Sequence, residues 1–124
     1  NVATSIYVPV YAGTKDLPES YKVPGRKTGY TRESAWWAFN RLSTLTAQRW
    51  GDMRHDVSAR WQPLQKEMFD NQNSFEQQVI EAYKKDPEKA ADLLTGYTVK
   101  WGQRVVQVAW ELGDFLWTKY DEKF

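Results

Sequence analysis

The sequence predicts a mostly α-helical chain, in which a bundle of long helices follows one amino-terminal β-strand. Large apolar residues recur in steps of three and four over residues 34–69 and again over 87–119, which places them on one face of a helix. Over residues 1–12 apolar side chains instead alternate, as in a strand. With 124 residues, the chain is long enough for one domain with a modest core.

The predicted strand, residues 1–12, has β-branched and aromatic side chains on both faces. One face carries Ile6, Val8 and Val10, and the other carries Tyr7 and Tyr11. No second strand follows, so its backbone donors and acceptors have no partner within the chain. We therefore expect this strand to complete a sheet supplied by another chain or by a missing part of the same one. The alternative is an extended arm that lies over the helices.

A loop and the longest helix come next. Glycine, proline and charged residues fill residues 13–31, which predicts a long polar loop. The helix predicted over 32–69 has Thr31 as its N-cap and is bent by Pro63. Its buried face is expected to consist of Leu42, Leu45, Trp50, Met53, Val57, Trp61, Leu64 and Met68.

Two further helical stretches complete the bundle. A polar run at 70–73 is predicted to end the long helix, and Ser74 with Gln77 resembles a capping box that starts a short helix over 74–85. Asp86 followed by Pro87 is a strong helix start for residues 87–120, which form one helix, or two if Gly96 interrupts them. This last stretch is apolar over more than half its circumference, so we expect neighbours on two sides, one of which need not belong to these residues.

Composition narrows the choice of partners. Seventeen basic and sixteen acidic residues are interspersed, which argues against nucleic acid or an anionic membrane surface as a partner. No apolar run has the ~18 residues of a membrane span, and no signal peptide is recognisable, so the compartment, cytoplasmic or secreted, stays open. The start at Asn1 suggests that the natural beginning lies elsewhere. With no cysteine, these residues offer no disulfide, thiolate metal site or cysteine nucleophile.

Residues that could carry chemistry are few. His55 is the only histidine, and its neighbours Asp52 and Asp56 do not complete a metal-ligand set, so it is interpreted as a surface residue. No nucleophile motif surrounds any serine, and the glycines stand singly rather than in a phosphate-binding loop. The seven tryptophans could form a stacking platform, but at helical spacing they are interpreted mainly as core. The residues therefore predict neither a cofactor nor a metal, and no active site of their own.

Five blocks, in the same order, resemble the carboxy-terminal part of the dipeptidase A family. They span nearly the whole chain and read SIYVPVYAG at 5–13, LPESYK at 17–22, SAWWAFNRL at 34–42, WGDMR at 50–54 and WELGDFLWTKYDEKF at 110–124. Members of that family are cysteine peptidases of the N-terminal-nucleophile hydrolase superfamily. They have an αββα sandwich, need no metal and cleave dipeptides.

The resemblance implies that the catalytic cysteine lies upstream of Asn1, with its own free amine as base. None of the family's catalytic residues maps onto a position in this chain. The expected partners are the upstream part of the same enzyme and, in the full enzyme, a dipeptide. Tyr7 and Tyr11 are candidates for the wall of the substrate pocket, and a purely structural role is the alternative.

Two functions are consistent with the sequence. The first is a scaffold segment of a dipeptidase, inactive alone because it lacks the nucleophile. The second is an independent helical module that binds a partner or itself. For the first function we expect the isolated chain to self-associate, because a strand edge and one tryptophan-bearing face lose their cover.

Overall fold

The computed structural model describes residues 4–124, and three helices account for most of them. Helix α1 spans Ala35–Gln48, α2 spans Trp50–Lys85 and α3 spans Pro87–Tyr120. Two short 3-10 turns, Glu19–Lys22 and Arg26–Thr28, lie in the segment that precedes α1. The mostly helical class predicted from the sequence is confirmed.

Helix α3 lies between the other two and contacts both of them, whereas α1 and α2 contact each other little. A single residue joins each pair of consecutive helices, Arg49 between α1 and α2 and Asp86 between α2 and α3. Along α1, Arg41 reaches Asp114 of α3. The chain then reverses, and α2 runs antiparallel to α3.

The core consists of the side chains that these three helices turn toward one another. Pro63 lies inside α2 within this buried stretch, and the burial of the surrounding apolar residues continues on both sides of it. The largest of the fully buried apolar side chains in the helices are Leu42, Met53, Val57, Leu64, Met68, Val105 and Leu116. Their positions follow the apolar periodicity that predicted the helices.

Two polar side chains cap the helix starts. Ser34 caps α1, since its hydroxyl accepts a hydrogen bond from the Trp37 backbone N–H at 3.3 Å. The predicted cap, Thr31, instead accepts from the N–H of Glu33 ahead of the helix. Asp86 caps α3 as predicted, with its carboxylate accepting from two backbone N–H groups of the first turn.

The single helix predicted over 32–69 is wrong, because the chain leaves helical geometry at Arg49 (φ −141°, ψ 61°). The apolar pattern carries no sign of this break, since α1 and α2 both present apolar faces to α3. The guanidinium of Arg49 bonds to the Lys123 carbonyl at 2.8 Å and to the Asp52 carboxylate at 2.9 Å. The first of these bonds joins the chain reversal to the residues that follow α3.

The predicted end of the long helix at 70–73 and the separate short helix over 74–85 are also wrong. Helix α2 continues without a break from Trp50 to Lys85. Asn71 donates its amide to the Glu67 carbonyl one turn earlier, and Gln72 donates to the Glu76 carboxylate one turn later. These polar side chains therefore bond along the helix surface rather than ending it. Gly96 does not interrupt α3 either.

The strand expected over 1–12 is not formed within residues 4–124, and residues 1–3 lie outside the described part of the chain. Residues 5–14, here called the arm, have no regular secondary structure beyond a turn and lie against α2 and α3. Ile6 and Val8 pack on the core. A strand needs a partner strand for its hydrogen bonds, and the described residues contain none. Pairing with a sheet outside this chain stays a prediction.

Candidate interaction surfaces

Tyr11 fixes the arm to the helices. Its hydroxyl donates a hydrogen bond of 3.0 Å to the Glu76 carboxylate of α2. Its ring lies 6.1 Å from that of Phe75 and 6.3 Å from that of Tyr97, which stack on each other at 3.7 Å. Burial, together with the bond to Glu76, raises the pKa of Tyr11 to about 12. The phenol therefore stays protonated at neutral pH and holds the arm in place.

Tyr7, the other candidate for a pocket wall, is 43 % exposed and rests against Phe69 of α2 with ring centroids 5.3 Å apart. Tyr7 and Tyr11 thus face the same helix but contact it nearly two turns apart. In this chain both tyrosines serve the attachment of the arm. A contact with substrate stays a prediction for both.

The backbone between these tyrosines has free hydrogen-bonding groups. Within residues 4–124, the C=O groups of residues 6–10 and the N–H groups of the same residues other than Pro9 form no hydrogen bond. Val10, which is 61 % exposed, lies at the outer side of this stretch. Backbone with unused donors and acceptors is the feature to which another strand can add.

The tryptophans divide into a buried and an exposed set. Trp61, Trp101 and Trp110 are buried in the core, and Trp37 is half buried. The prediction that the tryptophans are mainly core is therefore wrong for the rest, including Trp50, which was expected on the buried face of the long helix. Three others keep a large exposed area: 41 % of Trp36, 40 % of Trp50 and 53 % of Trp117. A tryptophan that remains this exposed offers a large apolar area to a partner.

Helix α3 has its two neighbours inside the chain. On one side, Tyr97 stacks on Phe75 of α2. On the other, Trp110 and Gly113 are covered by α1 and the segment before it. Arg41 lies so close to Gly113 that a Cβ there would be 2.6 Å from its guanidinium. The expectation that one neighbour could lie outside these residues therefore holds only for the end of α3, where Phe115 and Trp117 are exposed.

A groove of 360 Å³ lies between α2 and α3 beside this end. Its wall is mostly apolar, with Leu112 and Phe115 on α3 and Ala59 on α2. Asp56, also in the wall, is mostly buried and accepts hydrogen bonds from Lys119 at 2.7 Å and from the Tyr120 hydroxyl at 2.6 Å. Both oxygens of this carboxylate are thus engaged by the chain itself.

Burial alone would raise the pKa of Asp56, but the hydrogen bonds from Lys119 and Tyr120 outweigh it and hold this pKa below its usual range. The same two opposing effects act on the pKa of Asp114. Burial opposes its ionisation, whereas bonds from Arg32 and Arg41 lower its pKa. Both carboxylates are therefore charged at neutral pH and fasten α3 to its neighbours.

Arg32 also covers an aromatic ring of the core. Its guanidinium lies 4.4 Å from the ring centroid of Trp110, and the same group bonds to Asp114 at 3.1 Å. The ring of Tyr30 meets Trp110 edge-on, with centroids 6.0 Å apart. The segment before α1 thus shields one side of Trp110 by a cation–π contact and an aromatic contact.

Sequence reasoning missed these carboxylate sites. The partners of Asp56 and Asp114 lie more than sixty residues away along the chain. Only the fold brings them together, and no local spacing indicates them.

The structure gives His55 an exposed position on α2, as the sequence predicted. Among residues 4–124, no group of three histidine, cysteine or acidic side chains is placed to hold a metal ion. None of the helices in that range combines the length and apolarity that crossing a membrane requires.

The chain was compared with models of protein families, with curated proteins and with solved structures, and none of the three comparisons gave a match. The fold and its surfaces define a three-helix unit with an attached arm, in which the exposed aromatic residues and the free backbone of the arm are the candidate binding features.

Proposed function

We propose that this chain is a scaffold segment of a larger cysteine dipeptidase, in which it docks on an upstream part that carries the nucleophile. The observation that carries the proposal is the arm, in which the backbone groups of residues 6–10 form no hydrogen bond within the described part of the chain. In the proposed enzyme, that backbone pairs with a strand of an αββα sandwich, and the helices cover an outer face.

The dipeptidase part of the proposal is supported by the five sequence blocks that resemble that family. The resemblance implies a nucleophilic cysteine at the mature amino terminus and an oxyanion hole that stabilises the tetrahedral intermediate. This chain would contribute position rather than chemistry. Tyr7, which is half exposed on the outer side of the arm, is the better placed of the two pocket candidates, because Tyr11 is committed to Glu76.

The first test is the coding sequence upstream of Asn1. The proposal expects an open reading frame that supplies an amino-terminal cysteine after processing. The protein made from that frame should hydrolyse unmodified dipeptides and lose this activity when the cysteine is changed to serine. A start codon directly at Asn1, or a frame that has no such cysteine, would contradict the dipeptidase proposal.

The second test concerns the arm itself. Val10→Pro removes a backbone N–H that has no partner within residues 4–124. The free energy of unfolding of the isolated chain should therefore stay within about 0.5 kcal/mol of the wild-type value. In the full protein the same change should weaken docking, because a strand pair would lose a donor. Val10→Ala, which keeps the N–H, is the matched control. Equal activity and stability of both full-length variants would show that the arm does not pair as a strand.

The second candidate function is an independent helical module that binds a partner protein. It is favoured by the way the three helices close a core of their own, with Leu42, Met53 and Leu116 fully buried without help from another chain. The exposed Trp36 and Trp117 would then supply the binding area. A discrete gene product that starts near Asn1 and melts cooperatively as a monomer would favour this function over the first.

A further inference from the structure

We infer that this chain can form a domain-swapped dimer, in which Arg49 adopts helical geometry and α1 and α2 become one continuous helix. The occupant of each swapped site is residues 4–48 of a second copy. This inference concerns the assembly of the chain and does not rest on the proposed function.

The first observation is the connection between α1 and α2. Arg49 is the only residue between Gln48 and Trp50 and has no helical backbone geometry (φ −141°, ψ 61°). It is neither glycine nor proline, so helical geometry is equally open to it. A connection this short is the kind that favours exchange of an element between copies.

The second observation is the apolar pattern, which passes through the break without a change of phase. Leu42, Met53 and Leu64 are spaced by eleven residues and are each at most 1 % exposed. Eleven residues make three helical turns, so a continuous helix over 35–85 would keep all three on one stripe. Such a helix would be roughly 75 Å long. The same sequence therefore suits both the bent and the straight arrangement.

The third observation is where residues 4–48 make their contacts. Arg41 bonds to Asp114 of α3, Tyr11 bonds to Glu76 of α2, and the indole of Trp61 donates to the Thr4 carbonyl at 3.2 Å. Each contact joins the part before Arg49 to the part after it. In the swapped dimer they would form between copies with the same geometry, so the two forms differ at the hinge, where the dimer exchanges the bend for helical hydrogen bonds across residue 49.

The decisive experiment compares two variants of the hinge, Arg49→Ala and Arg49→Gly. Both lose the same guanidinium bonds to Lys123 and Asp52. They differ in helix preference, which favours alanine by about fivefold at each hinge and roughly 25-fold for the two hinges of a dimer. Each chain is refolded at micromolar and at millimolar concentration, and its mass is measured by size exclusion with light scattering.

We expect the wild type to give dimer when refolded at high concentration, and Arg49→Ala to have a dimer association constant about 25-fold above that of Arg49→Gly. Gly51→Ala is the matched control. A Cβ at Gly51 meets nothing within 4 Å, and residue 51 is helical in both forms, so the dimer fraction should not change. Equal dimer association constants for the two Arg49 variants would overturn the inference. So would a wild type that stays monomeric after refolding at both concentrations.

A charge exchange separates the swap from association through exposed aromatic residues, and it keeps the inference testable if the Arg49 variants fold poorly. Arg41→Asp and Asp114→Arg each place like charges across the contact between α1 and α3. When the two variants are refolded together, a swapped heterodimer pairs opposite charges at both of its sites. Enrichment of the heterodimer above its statistical share supports the swap, and its absence among the dimers overturns it.

Discussion

The two ends of the α2–α3 pair are held together in different ways. At the end near Arg49, α2 contributes five buried residues between Met53 and Met68, and α1 lies alongside as a third helix. At the far end, no residue of α2 beyond Met68 is buried. The first part of α3, before Thr98, contributes a single buried residue, Ala90. Two helices alone cannot enclose a core, so the far end depends on the stacked Phe75 and Tyr97 and on the arm. The chain therefore has a tightly packed base and a thinly covered tip.

The largest expected difference between the ends comes from deleting apolar side chains. Leu64 at the base is 1 % exposed, so Leu64→Ala should lower the free energy of unfolding by about 3 kcal/mol through lost burial and the cavity that remains. At the tip, Val79 is only half buried, and Val79→Ala should cost about 1 kcal/mol or less. Urea unfolding followed by circular dichroism measures both. Similar losses for the two variants would show that the tip is packed as well as the base.

Two glycines of α3 sharpen the same comparison. A Cβ at Gly102 would lie 2.7 Å from the ring of the buried Pro18, so Gly102→Ala should destabilise the chain by about 1–3 kcal/mol. Gly96, at the tip, has nothing within 4 Å of its Cβ position, so Gly96→Ala should stabilise the helix by about 0.5–1 kcal/mol. Thermal unfolding should move in opposite directions for the two variants. A loss of stability in both would mean that the tip is more crowded than its exposure indicates.

The base also carries an acid-sensitive contact. The folded pKa of Asp56 is depressed, so the stability it provides is present above the unfolded pKa of about 4 and is lost as the pH falls through the folded value. Asp56→Asn should therefore be less stable than the wild type by about 2 kcal/mol at neutral pH, and the difference should shrink in acid. Urea unfolding at a series of pH values tests this. A difference that stays constant down to pH values near 2 would contradict it.

The sequence predicted the helical class and the buried face well, because both follow from periodicity within one helix. Val57, Trp61 and Met68 are buried as expected, whereas Trp50, predicted on the same face, is exposed. The sequence could not place the break at Arg49. Two helices that both pack on α3 after a chain reversal show the same pattern of apolar steps as one straight helix. The break expected at 70–73 was wrong for a related reason. Polar residues there were interpreted as a helix end, whereas they bond along the exposed surface of α2.

The candidate surfaces were predictable only in part. The alternation predicted a strand over residues 1–12, which is not formed within residues 4–124, and it could not show that Tyr11 would bond to Glu76, sixty-five residues away. Nor could it separate the exposed Trp36 from the neighbouring, half-buried Trp37, since both stand in the first turn of α1. Both the bond between distant residues and the exposure of a side chain depend on the tertiary fold.

The smallest expected effect tests whether the arm belongs to the tip. Tyr11→Phe removes only the hydroxyl that bonds to Glu76, so it should cost about 1 kcal/mol and speed proteolytic cleavage in the arm. Tyr7→Phe is the matched control, because the Tyr7 ring, which this change keeps, makes the contact with Phe69. The raised pKa of Tyr11 adds a signature. Its stabilisation should hold up to pH 10 and be lost as the pH rises through about 12, whereas Tyr11→Phe should show no such loss. If both variants behave like the wild type, the arm is held by its apolar side chains alone, and the tip owes its cover to packing rather than to the Tyr11–Glu76 bond.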